Sequence, residues 1–330
     1  MFMKYVPDTT KLGFMKLRMP SFLFSMAAIA VSIVLILTQG LNLGIDFKGG
    51  ATIETAKPAG VEIEDVRGYL GNLGLGELTI NEATGTGVNA EPVIVIKVAT
   101  QDATETVDEE AATQAATDSI LNKLEEEFGL PQAEFLKQRE TIGPKVSGEL
   151  FRSGIIALGV ALVLMLAYIS FRFRWHFALG AVAALVHDVI LTIGVFSGLQ
   201  LEFNLSTIAA LLTIVGYSMN DTVVVFDRVR EENRKYKKMP SRELIDLSLN
   251  GTLSRTLLTS GTTLLALLAI FILGGPVLRG MSFALIWGVI VGTYSSIFVA
   301  SSLLLALPDE WRRSNKVAAG DVPGFQGPIS

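Results

Sequence analysis

The stretch LSTIAALLTIVGYSMNDTVVVF, from Leu205 to Phe226, decides how the rest of the chain is interpreted. It has the apolar character and the length of a helix that crosses a lipid bilayer, which takes about 20 residues. Its one acidic residue is Asp221. A charged side chain near the centre of a bilayer costs about 3 kcal/mol on insertion scales, so such residues usually face protein and act on ions or protons. Asp221 therefore predicts transport driven by an ion or proton gradient.

The composition is also that of a membrane protein. Half of the 330 residues are hydrophobic, 18% are charged, and the mean hydropathy is +0.48, which is unusual for a soluble domain. Cysteine is absent, and the two histidines, His176 and His187, are too few for a histidine-based metal site. The chain has no phosphate-binding loop and no nucleophile elbow. We therefore expect no catalytic residues, cofactor, metal or nucleic-acid partner.

Six apolar stretches are long enough to span a bilayer. They lie at 20–38, 154–171, 177–197, 205–226, 256–274 and 281–307. The first follows a basic segment, as a signal peptide does, but it offers no small-residue cleavage site, so we expect a retained anchor.

Basic residues gather at one set of span ends, which the positive-inside rule assigns to the cytoplasm. They are Lys4, Lys11, Lys16, Arg18, Arg172, Arg174, Arg312 and Arg313, together with seven Lys and Arg between Arg228 and Arg242. Both termini are then cytoplasmic. We expect a cytoplasmic N-terminal segment at 1–19, a cytoplasmic basic loop at 227–255 and a disordered cytoplasmic tail at 308–330.

The region 39–150 is the only large polar segment, and this topology places it outside the membrane. Residues 46–150 hold 20 of the 32 acidic residues against 8 Lys and Arg. Its β-forming and helix-forming segments follow the order β-α-β-β-α-β, which predicts an external α+β domain of the ferredoxin-like type. The fold class is thus a polytopic α-helical membrane protein, with this domain between the first and second of six transmembrane helices.

Polar residues lie at helical spacing around Asp221. On the fourth span Ser218 falls on the same side as Asp221. On the fifth span Arg255 lies near the inner end, at a similar depth, so an Asp221–Arg255 pair is geometrically reasonable. The third span carries His187 and Asp188 near its middle, beside each other, and histidine titrates near neutral pH. These four ionisable residues are the candidate proton-responsive set.

Each of these residues also has a purely structural interpretation. The Asp221–Arg255 pair could be static and only define helix register, and an arginine at a helix end often extends to the interface. His187 and Asp188 could simply bond to each other or to neighbouring hydroxyl groups.

Three motifs carry a resemblance to a known family. GIDFKGG at 44–50, GYSMNDTVVVFDRVRE at 216–231 and SRTLLTSGTT at 254–263 resemble the SecD/SecF family of bacterial protein export subunits, in its SecF form. The resemblance covers nearly the whole chain, including the six spans and the large segment after the first. SecD differs in having Asp-Ala-Asn in place of Asn220-Asp221-Thr222.

The resemblance implies a role in the Sec pathway of the bacterial inner membrane. It implies kinship with the resistance-nodulation-division superfamily, in which intramembrane charges carry protons, and so a use of the proton motive force. It also implies a SecD partner, the SecYEG translocon, YajC as a further candidate partner, and an unfolded polypeptide in transit. Asn220 and Thr222 enter the proton-coupling set as the neighbours of Asp221 in the motif.

Glycines predict two further features. Gly49 and Gly50, with Gly143 and Pro144 at the other end, punctuate the connections of the external domain and are candidate hinges or tethers. Gly288, Gly292 and Ser296 recur at every fourth position of the last span, a pattern typical of close helix packing in lipid.

Two other function classes remain open at this point. An intramembrane aspartyl protease could use Asp188 and Asp221, because paired carboxylates can activate water. The residues around them do not match the Tyr-Asp and Gly-x-Gly-Asp pattern of such proteases. A passive scaffold subunit is the other alternative.

Overall fold

The computed structural model describes residues 10–75, 78–84, 92–99 and 109–312. The helices are α1 (Arg18–Gln39), α2 (Ile45–Lys48), α3 (Ile63–Gly71), α4 (Glu109–Phe128), α5 (Gln132–Phe135), α6 (Pro144–Arg172), α7 (Trp175–Gly198), α8 (Leu205–Lys235), α9 (Ser241–Leu273), α10 (Gly275–Ser295) and α11 (Ser301–Ala306). A π-helical turn at Ser296–Ala300 joins α10 to α11, and tighter helical turns occupy Phe14–Lys16 and Asp309–Arg312. The strands are β1 (Gly50–Ala56), β2 (Leu78–Thr84), β3 (Pro92–Ala99) and β4 (Leu136–Ile142).

Six helical segments are long and apolar enough to cross a membrane, which confirms the predicted six-span architecture. They are α1, α6, α7, α8, α9 and the segment from α10 to α11. Helices α7 and α8 are the most buried, whereas α1, α6 and α9 expose most of their apolar surface, as helices at a lipid boundary do. The third and fourth spans therefore form the centre of the bundle.

The external domain has the predicted order β-α-β-β-α-β, with the short helix α5 added before β4. Its sheet is antiparallel throughout, in the order β2-β3-β1-β4. Helices α3 and α4 cover one face, because their apolar side chains share one buried cluster with those of the strands. Among its members are Ile53, Val66, Leu70, Ile96, Ile120 and Leu124.

The predicted cytoplasmic loop at 227–255 is wrong. Helix α8 continues to Lys235 and α9 begins at Ser241, so only 236–240 connect the two. The charged residues that suggested a loop support the helix instead, since Arg228 pairs with Glu231 and Glu232 at the spacing of helical neighbours. The charged residues here continue the helix and do not mark its end.

The prediction of a disordered tail at 308–330 is wrong for its first residues. Trp311 is buried and packs edge to face against Phe177 of α7. Arg312 donates hydrogen bonds to Asn233 and Ser241, which ties the chain to the C-terminal end of α8 and the first residue of α9. The remainder, 313–330, and residues 1–9 of the N-terminal segment lie outside the described residues.

Candidate functional site

Asp188 lies at the centre of the bundle, and both of its carboxylate oxygens have hydrogen-bond partners. Its Oδ1 is 2.9 Å from Nδ1 of His187. Its Oδ2 accepts hydrogen bonds from Ser218 Oγ of α8 at 2.6 Å and from Ser295 Oγ of α10 at 2.8 Å. Asp188 has no solvent exposure. This one carboxylate therefore joins α7, α8 and α10 through side chains.

The Asp188 network continues to the first span through His187. The His187 ring stacks on Tyr294, with 6.1 Å between ring centroids. The Tyr294 hydroxyl donates to the carbonyl oxygen of Ser21 at 2.9 Å and lies 3.0 Å from Ser25 Oγ, both on α1. The second ring nitrogen of His187 is buried and finds no partner among the described residues. Four of the six spans thus contribute to one polar cluster.

Asp221 is also buried, but its carboxylate does not have the hydrogen-bond partners that Asp188 has. It lies one helical turn after Ser218 on α8 and is 3% exposed. Its Oδ2 and the hydroxyl of the adjacent Thr222 are buried without a hydrogen-bond partner in the described part of the chain. Asn220, the other neighbour, faces the exterior of the bundle. An incompletely bonded carboxylate in an apolar interior is costly when ionised.

The predicted Asp221–Arg255 ion pair is not formed among the described residues. Arg255 is exposed on α9, because the flanking Thr252 and Thr256 are buried and take the side of the helix that faces the bundle. The guanidinium charge still acts on Asp221 at longer range. The structure therefore brings the two residues into the same region without direct contact.

A second chain of hydroxyl groups flanks Asp221 on the side of α9. The Tyr217 hydroxyl donates to Ser260 Oγ at 3.4 Å, and Ser260 Oγ lies 2.7 Å from Thr293 Oγ1 of α10. Sequence reasoning missed Ser260, Thr293, Tyr294 and Ser295. Their signal was present, since hydroxyl groups inside an apolar span are expected to find partners on neighbouring helices.

The small residues of the last span explain how Ser295 reaches Asp188. A side chain at Gly288 would collide with Ile214 of α8, and one at Gly292 would lie 3.1 Å from the Cβ of Ser218. Because these two glycines have no side chains, α10 can approach α8 closely. Ser296 begins the π-helical turn directly after this contact, a local irregularity that often accompanies functional sites in helices.

The two candidate hinges of the external domain differ in kind. Gly49 and Gly50 have φ angles of 79° and 135°, which other residues rarely adopt, and a side chain at Gly50 would collide with the carbonyl oxygen of Val98. Gly143 caps the N-terminus of α6 and Pro144 is the first residue of that helix. Since β4 ends at Ile142, the return to the membrane is a direct strand-to-helix junction, not a linker.

The two intramembrane carboxylates do not form the pair that an aspartyl protease needs. Both oxygens of Asp188 are engaged by His187, Ser218 and Ser295, and within the described ranges no hydrogen bond joins Asp188 to Asp221. The two acids therefore lie in separate hydrogen-bonding environments.

Two family models match the chain. They are the C-terminal part of the protein export membrane protein SecD/SecF, over residues 123–310, and the SecD/SecF GG motif, over residues 34–56. The chain is 45% identical over 306 residues to the protein translocase subunit SecF of Cereibacter sphaeroides, covering 92% of each. It is 42% identical to SecF of Vibrio alginolyticus, covering 90% of each.

A solved structure gives the same result for the fold. The crystal structure of SecDF from Thermus thermophilus, a translocon-associated membrane protein, superposes with a TM-score of 0.73 at 36% sequence identity. The match takes in 93% of this chain but only 39% of the SecDF chain, which is much longer.

Proposed function

Because this chain belongs to the SecD/SecF family of protein export membrane proteins, we propose that it works with SecD to couple the proton gradient to the late translocation of polypeptides through the SecYEG channel. Its relatives are named as SecF subunits of the protein translocase, so it is a component of a transport system and not an enzyme. The further partners in this proposal are the unfolded polypeptide in transit and YajC.

The observation that supports proton coupling is that a carboxylate oxygen of Asp221 is buried without a hydrogen-bond partner among the described residues. Its Oδ2 is buried and unpartnered, so the ionised form is poorly stabilised and proton uptake relieves the cost. The ionised form also attracts Arg255 on the neighbouring helix α9. Protonation would weaken that attraction and let α8 and α9 shift against each other.

The exterior of α8 and α9 supports a membrane-embedded partner. Asn220 and Arg255 are both exposed on the outside of the bundle, and neither side chain forms a hydrogen bond or ion pair within the described part of the chain. Polar side chains at this depth are expensive in contact with lipid and usually meet protein. We assign this face to contact with SecD.

The central experiment replaces Asp221 by Asn, which keeps the size of the side chain but removes the titratable proton. We expect Asp221→Asn to fold and copurify with SecD while losing the stimulation of export by a proton gradient, measured in membrane vesicles with and without an uncoupler. Asp227→Asn is the matched control, because Asp227 lies on the same helix but is half exposed and pairs with Arg172. Export at the normal rate in Asp221→Asn would support the passive scaffold instead.

We also propose that the chain lies in the bacterial inner membrane with both termini in the cytoplasm and residues 39–150 in the periplasm. The chain has no cysteine, so single cysteines at Gln114 and Lys237, both exposed, report sidedness without background. A membrane-impermeant maleimide added to intact cells whose outer membrane has been made permeable should label position 114 only. Labelling of position 237 alone would reverse the topology.

A further inference from the structure

The segment before β1 makes several hydrogen bonds to the segment before α8. Ser197 Oγ donates to the carbonyl oxygen of Gly40 at 2.6 Å. Further along, the amide of Phe203 donates to the carbonyl oxygen of Asn42 at 2.7 Å. The amide of Gly44 in turn donates to the carbonyl oxygen of Phe203 at 2.9 Å. Residues 40–46 and 197–205 thus run side by side in a short parallel pairing.

Asp46 extends this pairing to the helix that carries Asp221. Its Oδ2 accepts a hydrogen bond of 2.7 Å from the amide of Leu205, the first residue of α8. The first amides of a helix have no partner within the helix, and a carboxylate there is further favoured by the helix dipole. Asn204 already caps the same helix by accepting from Thr207. Asp46 is therefore a second cap, supplied from a distant part of the sequence.

The body of the external domain makes its own contact with the same place. Lys97 on β3 forms an ion pair with Glu202, three residues before α8. Phe47 is buried between two other aromatic rings. Its ring centroid lies 6.0 Å from that of Phe203 and 5.3 Å from that of Phe151 on α6. Since a side chain at Gly44 would meet the Glu202 carboxylate at 2.7 Å, this glycine leaves room for the pair.

From these contacts we infer that Asp46, Lys97 and Glu202, with the pairing of 40–46 to 197–205, form an outer latch that holds the external domain on the outer end of α8. The inference deepens the proposed function and rests on it. Asp46, Lys97 and Glu202 are positioning residues. Their role in this inference is to transmit displacement of α8 to the domain, and not to transfer protons or bind the polypeptide. The latch stays closed while the domain moves.

The latch changes how the domain can be driven. By covalent connection alone the domain would follow α1 and α6, neither of which carries Asp221. The latch adds a third attachment, directly to the helix whose carboxylate is proposed to take up the proton. Through Lys97 and Glu202, a shift of α8 then reaches the domain without passing through the Gly49 and Gly50 junction, whereas Asp46 holds the segment that leads into that junction.

The first arm of the test opens the latch. The double variant Asp46→Ala with Lys97→Ala should lose the gradient-dependent stimulation of export while SecD still copurifies. Asp46→Asn should retain much of it, because asparagine also accepts at a helix N-terminus. Lys97→Glu alone should be impaired, and adding Glu202→Lys should restore it, which a general loss of fold would not allow.

The second arm keeps the latch closed. Cysteines at positions 97 and 202 of the cysteine-free chain, joined by a short reducible bifunctional thiol reagent, should leave gradient-stimulated export unchanged. If the crosslinked protein is blocked and reduction restores it, the domain must leave α8 during the cycle and the inference is wrong. If the opened variants export as well as the parent, the latch transmits nothing.

A readout without export separates this inference from the proposed function. Spin labels at Gln114 of the external domain and Arg279 of α10, both exposed, report the distance between domain and membrane part. We expect a narrow distance distribution in the parent and a broad one in Asp46→Ala with Lys97→Ala, whether or not Asp221 carries protons. Identical distributions would show that the domain is held by other contacts.

Discussion

Asp188 and Asp221 are two acids in the same membrane bundle, on adjacent helices and equally buried, yet their surroundings differ. Asp188 has a hydrogen-bond partner for each oxygen, drawn from three helices. Asp221 has an oxygen with no partner in the described residues. A buried acid with all its partners stabilises one arrangement of the helices, whereas a buried acid without them favours a change in protonation. Depth alone does not identify the working residue.

The difference arises from helix packing. Gly288 and Gly292 bring α10 against α8, which places Ser295 within reach of Asp188. On the other side of α8 the residue expected to pair with Asp221 is turned outward on α9. Asp188 therefore has hydrogen-bond partners from three helices, whereas Asp221 Oδ2 has none among the described residues. Each of the following predictions tests that contrast.

The largest effect is expected from Asp188→Ala. The substitution removes the common acceptor of Ser218 and Ser295 and leaves their hydroxyl groups buried without it, so we expect destabilisation of about 2–6 kcal/mol, from about 1–3 kcal/mol for each unsatisfied donor. The amount of folded protein extracted from membranes and its thermal unfolding in detergent measure this. Asp221→Ala is the matched control and should remain close to the parent. Equal losses in the two variants would remove the contrast between the two acids.

An intermediate effect is expected when the donors are removed singly. Ser218→Ala and Ser295→Ala each delete one hydrogen bond to the buried Asp188 carboxyl group, worth about 1–3 kcal/mol. The double variant should depart from the sum, because both hydroxyl groups bind the same oxygen. Thr213→Ala, which deletes an exposed hydroxyl bonded only to its own helix, should have little effect in the same unfolding assay. Additive losses would show that the two serines act independently.

The smallest effect on stability is expected at Arg255. Its side chain is exposed and makes no ion pair with Asp221 here, so Arg255→Met should change the free energy of unfolding by no more than about 0.5 kcal/mol. Gradient-stimulated export should nonetheless fall if Arg255 meets the ionised Asp221 during the cycle. A large loss of folded protein would instead indicate a static buried pair, in contradiction to the geometry described above.

The sequence by itself determined the architecture. Apolar stretches of membrane length predict the six spans, because a bilayer tolerates little else. Alternating and helical patterns predict the order of elements in the external domain, and the glycine spacing of the last span predicts a close helix contact. The unusual acids at 188 and 221 are visible as exceptions to an apolar composition. All of these features are local, and periodicity along the chain is enough to detect them.

Only the tertiary structure decided what these residues touch. Whether Asp221 meets Arg255, and whether Asp188 meets serines from two other helices, depends on how each helix is rotated about its axis, which a span's composition leaves open. The contact of Asp46 with Leu205 joins residues 159 positions apart through a single hydrogen bond. No local sequence pattern predicts this contact. The extension of α8 and α9 beyond the membrane was likewise hidden, since charged residues continue a helix in water as readily as they end a span. Partners are decided by packing, and packing is a property of the whole fold.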